Sequence, residues 1–207
     1  MNLRKATILF ALGCAYTILH KLVFALVPTV GNSVPGKTIA SFLWIAAAFT
    51  LILFAYEYLR ELSPGSKLMR YSLLLIIVFT SIVVFSKLPL GLLTEGGIEH
   101  RLMFGIASLL NSFAILLFAL SFSRLTARGS PLWYPIHTLI WACSLTAILA
   151  VVSFGYFAAF LVTGREYKSL PFLQPLSMLS FLFTYGTTIW FLIRFSKFTN
   201  YREFAHR

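Results

Sequence analysis

The sequence predicts an all-α, polytopic membrane protein with six transmembrane helices. Three observations lead there. Of 207 residues, 59% are hydrophobic and 11% charged, whereas a soluble domain carries about a quarter charged residues. The apolar residues fall into six runs, and a hydrocarbon core of about 30 Å needs roughly 20 residues of helix. Short connections rich in Gly, Pro and Ser separate the runs. Backbone groups in lipid must bond within their own segment, so the runs are read as helices; barrel strands would be shorter and would alternate. No polar stretch is long enough for a second domain, and one six-helix unit over 1–207 is expected.

The first run, 6–28, follows Met1-Asn2-Leu3-Arg4-Lys5. A basic start before an apolar stretch is also how a secretion signal begins. No small-x-small cleavage site closes this one, so it is expected to remain as the first helix. Pro28, Gly31, Pro35 and Gly36 break the chain before the second run, 38–58, and Ser63-Pro64-Gly65-Ser66 turns it into the third, 69–90. A central connection, 91–101, leads to the fourth run, 102–123. There Gly105, Ser108, Asn111 and Ser112 recur at steps of three and four, the small and hydroxylated residues that let membrane helices approach and bond. Arg128-Gly129-Ser130-Pro131 opens the fifth run, 133–163, long enough to require tilt or projection beyond the bilayer. The sixth, 172–195, holds Thr184-Tyr185-Gly186-Thr187-Thr188 near its middle. These polar stretches have two readings: helix packing, or a cavity between the fourth and sixth helices lined by Tyr156, Gln174 and Tyr185.

A parallel repeat is visible. Shifted by 64 residues without gaps, 49–76 falls on 113–140 with ten of 28 positions identical. Phe54, Ala55 and Arg60 match Phe118, Ala119 and Arg124. The shared Arg…Gly-Ser-x-Leu corner is the informative part, because turn chemistry constrains a hairpin. Either the hairpins of helices 2–3 and 4–5 are duplicates, or two corners converged on one solution.

The charge is +11, from 17 Lys and Arg against six Glu and no Asp. The cations flank apolar runs, where anionic headgroups and topology account for them, so nucleic acid is not the expected partner. With both termini in the cytoplasm, eleven cations lie inside and six outside, the bias of the positive-inside rule. The expected setting is the cell membrane, as a multi-pass protein of a prokaryotic cytoplasmic (inner) membrane. Cys14 and Cys143 lie inside apolar runs and read as packing residues.

The candidate site is a polar cluster on the outer side: His20 and Lys21 in the first helix, Lys87 at the end of the third, and Glu95, Glu99, His100 and Arg101 around the central connection. Charge within a membrane segment marks function by default. Snorkelling of Lys21 and Lys87 and capping of the fourth helix by Glu99 and His100 are the structural alternatives. Their ligand types raise haem or a metal held through His20 and His100, but the spacing matches no metal or haem signature, and no cofactor is expected. Without Asp there is no Ser-His-Asp triad, and no zinc-protease, phosphate-loop or nucleophile-elbow motif occurs. The function expected is therefore non-catalytic: an integral membrane binding or accessory protein, meeting lipid or another membrane protein through the outer cluster. A lipid- or isoprenoid-processing membrane enzyme is the alternative, and a small-solute transporter the third reading.

Overall fold

A computed structural model describes residues 2–27, 34–61, 66–86, 98–163 and 172–198. It is all helix: α1 (Leu3–Leu26), α2 (Val34–Glu61), α3 (Lys67–Phe85), α4 (Ile98–Leu125), α5 (Trp133–Thr163) and α6 (Leu173–Phe198), with no strand among the described residues. Each is long and apolar enough to cross a membrane. The ends differ from the hydrophobic runs by a few residues because caps, not apolarity, set them. Asn2 accepts the Lys5 N–H at 3.0 Å to start α1, and Ser66 accepts the Met69 N–H at 3.2 Å to start α3, each satisfying an orphan donor of the first turn. Pro135 is tolerated in the first turn of α5, where no intrahelical N–H bond is lost. Gly129 takes φ +90° in the corner before α5, a conformation L side chains rarely adopt.

The helices form a closed ring. Each packs on its neighbours in sequence, and α1 packs on α6. No two helices across the ring approach closely among the described residues. One end, here the base, carries the starts of α1, α3 and α5 and the finishes of α2, α4 and α6.

The core lies towards this base, and its register recurs three times. In the even helices the buried sets are Phe54, Ala55 and Tyr58; Phe118, Ala119 and Phe122; Phe191, Leu192 and Phe195. At the starts of the odd helices Leu3, Met69 and Leu132, the last just before α5, hold one position, and Cys14, Thr80 and Cys143 within them another, all buried. The six even-helix rings meet across the axis. Tyr58 stacks on Phe195 at 5.9 Å, and Phe54 meets Phe118 and Phe195 edge-on at 6.2 Å. Phe122 meets Phe191 at 5.2 Å. Such edge-to-face pairs contribute about 0.5–1.5 kcal/mol each beyond area burial. Aromatic side chains thus connect helices that do not touch through their backbones. Phe54 and Phe118, aligned by the 64-residue shift, occupy corresponding places in this cluster.

Neighbouring helices are held differently. Gly13 lets α1 approach α2: a Cβ there would stand 2.5 Å from Thr50 Oγ1 and 3.4 Å from the Ala47 carbonyl. Between α3 and α4, Thr80 donates to Asn111 Oδ1 at 3.1 Å. Between α5 and α6, the hydroxyls of Thr146, Ser180 and Thr184 share hydrogen bonds at 2.9 and 2.7 Å. Gly105 brings α4 against the Phe154 ring of α5. Asn111 of α4 and Ser180 and Thr184 of α6 therefore serve helix packing, whereas Ser112, Thr187 and Thr188 donate to carbonyls of their own helices; the Gln174 side chain lies outside the described residues. α4 and α6 themselves are separated by α5 and meet through aromatic rings at the base.

Candidate functional site

Two members of the outer cluster have described side chains, and both lie on α1. Its apolar residues run all round the helix, as expected for a helix packed against lipid and two neighbours. Lys21 stands 18 residues beyond Leu3, about 27 Å along the helix at 1.5 Å per residue, so it reaches the far end of a core of about 30 Å. Its ammonium lies 5.1 Å from the centroid of the Phe181 ring on α6. A cation over an aromatic face gains about 0.5–2 kcal/mol, more as water is excluded. No carboxylate pairs with Lys21 among the described residues, and the side chain is exposed. Phe181 is in turn braced by Tyr185 at 4.5 Å.

His20, one residue earlier, points elsewhere. Its ring sits between Tyr16 and Phe24, at 6.1 and 4.2 Å, one turn before and one after. Its Nε2 is shielded and has no hydrogen-bond partner among the described residues. An unsatisfied polar atom of this kind costs about 1–3 kcal/mol. Thr17 carries no such cost, because its hydroxyl donates to the Gly13 carbonyl at 2.7 Å.

Lys87 and Glu95 lie outside the described residues. The backbone of Glu99, His100 and Arg101 forms the start of α4, and their side chains lie outside the described set. Convergence of His20, Lys21, Glu99 and His100, and pairing of His20 with His100 around haem or a metal, are therefore not placed. Among the described residues no group of three His, Cys, Asp or Glu side chains comes together as a metal site. His137, at the base, has a local role: Nδ1 lies 2.7 Å from the Trp133 carbonyl, and the ring stacks on Trp133.

The base holds a second polar group that sequence reasoning passed over. Glu57 is buried, and its carboxylate lies 2.7 Å from Arg60 Nη2. Arg60 also reaches Glu61 at 3.4 Å, and Glu61 Oε1 accepts the Leu3 N–H at 2.9 Å. This latch ties the last turn of α2 to the first turn of α1. It satisfies an orphan N–H donor and places carboxylate charge at a positive helix end. A signal for the base was present. Phe54-x3-Tyr58-x-Arg60, Phe118-x3-Phe122-x-Arg124 and Phe191-x3-Phe195-x-Lys197 share one spacing at the ends of three helices.

Comparison with protein-family models, with curated proteins and with solved structures returns no match.

Proposed function

We propose that the protein is a non-catalytic membrane binding component that holds an acidic amphiphile, a lipid headgroup or the acidic tip of a membrane partner, at the far end of the α1–α6 seam. The observation that carries this reading is Lys21. It is an ammonium near the far boundary of a membrane helix, resting on Phe181 and paired with no carboxylate among the described residues. At that boundary an anionic headgroup would pair with the ammonium while acyl chains follow the exposed apolar flanks of α1 and α6. Glu95, Glu99, His100, Arg101 and Lys87 are proposed to surround the same mouth. The excess of cations at the base supports an orientation with the base and both termini in the cytoplasm of a cell-membrane protein, and the Lys21 site outside.

Native mass spectrometry tests the reading. Protein extracted from membranes is expected to retain an acidic lipid or a partner, and Lys21→Gln to retain less of it with helix content and melting temperature unchanged. Equal retention by Lys21→Gln overturns the proposal. Turnover of a lipid substrate that disappears with His100→Ala replaces it with the enzymatic reading, and solute flux in liposomes with the transporter reading.

A further inference from the structure

The base end carries a second surface, independent of the Lys21 site. Except for Lys21, every Lys and Arg with a described side chain lies at the base, and all of these are exposed. The arrangement follows the threefold register. Arg60, Arg124 and Lys197 occupy the last turns of α2, α4 and α6, each two residues beyond the second ring of a buried aromatic pair. Lys67 and Arg70 in α3 and Arg128 before α5 add charge in the neighbouring first turns and corner. The described carboxylates at this end are Glu57 and Glu61, and both are engaged, by Arg60 and by the Leu3 N–H. Arg124, Arg128 and Lys197 are left without a carboxylate partner among the described residues. Just inside this belt, exposed Tyr56, Tyr71 and Tyr134 stand on α2, α3 and α5. Tyr is the side chain that settles where headgroups meet hydrocarbon.

From this juxtaposition we infer that the base is a binding surface for anionic phospholipid headgroups, with phosphates on Arg124, Arg128 and Lys197 and acyl chains along the ring's outer wall. The fixed aromatic cluster holds the ends of the even helices, so their cations are presented on a rigid platform. A water-soluble acidic protein would need no tyrosine belt and no adjoining apolar wall, so lipid fits this surface better. Attraction at such a surface is screened by salt.

The test uses the full chain in nanodiscs of equal phosphatidylglycerol and phosphatidylcholine, followed by native mass spectrometry of the retained lipid. Phosphatidylglycerol is expected to be enriched, with the enrichment falling as salt rises. It should fall by about fivefold per cation removed in Arg124→Gln, Arg128→Gln and Lys197→Gln. The charge-keeping variant Arg124→Lys, Arg128→Lys, Lys197→Arg should retain it, which separates charge from folding. Equal retention of the two lipids overturns the inference. Compared in the Lys21→Gln background, which removes the far-end contribution, enrichment that survives the three Gln substitutions also overturns it; enrichment that Lys21→Gln alone abolishes leaves the far-end proposal standing while the base inference falls.

Discussion

The two halves of the ring are built on different principles. Towards the base, helices across the axis are joined by interlocking rings, and Phe191 is 1% exposed. Towards the far end, contacts run between neighbours, and large side chains such as Leu179, at 65%, face outward. A bilayer explains why this difference is tolerable. Lipid tails are as apolar as Leu, so exposed Leu costs nothing there, and association rests on close packing and hydrogen bonds. The base is therefore the stable frame, and the far half is where a polar group such as Lys21, the proposed binding residue, is tolerated without loss of packing.

The largest expected effect comes from cutting the frame. Phe191→Ala should cost about 3–5 kcal/mol of stability, by lost transfer and cavity formation, whereas Leu179→Ala should change it by less than about 0.5 kcal/mol, as an exposed substitution does. Thermal unfolding in detergent reads both. A similar loss at the two positions would erase the distinction between the halves.

Glycine sharpens it at a smaller scale. Gly13→Ala must displace Thr50 or part α1 from α2, and overpacking of this kind costs about 1–3 kcal/mol. Gly186→Ala meets nothing within 4 Å and should gain up to about 1 kcal/mol from helix propensity. A lower melting temperature for both variants, by equal amounts, would contradict the close α1–α2 approach.

Polar contacts come next. Asn111→Ala, which removes the Thr80 bond between α3 and α4, should cost about 0.6 kcal/mol, the average for hydrogen bonds between membrane helices. Lys21→Leu should be the smallest, neutral or slightly stabilising in unfolding assays, with loss of bound acidic lipid as its main phenotype. A marked drop in melting temperature for Lys21→Leu would make Lys21 part of the frame.

The sequence made the helices legible because their length and apolarity are imposed by bilayer thickness. It left the ring closure hidden. In α1 and α6 apolar residues face lipid and protein alike, so periodicity does not mark the side where they meet. The register at the base was half visible. A gapless 64-residue shift aligns Phe54 with Phe118, but the third aromatic pair, Phe191 and Phe195, comes 73 residues after the second and escapes a fixed shift. Glu57 was overlooked because a carboxylate near a helix end resembles an interfacial residue, and its burial depends on α1 lying alongside. At the candidate site, Lys21 and His20 stood out as charge and polarity inside an apolar run. That they point apart, one to Phe181 and one between Tyr16 and Phe24, follows from helical geometry and from the place of α6.

The account depends most on rings from non-neighbouring helices meeting across the axis at the base. A double-mutant cycle on Tyr58 and Phe195 measures that contact directly. With Tyr58→Ala, Phe195→Ala and the pair compared by unfolding in one detergent, the double variant should lose about 0.5–1.5 kcal/mol less than the two single losses combined, the coupling of an aromatic pair. Losses that add strictly would mean that the rings do not touch and that the base is not closed as described.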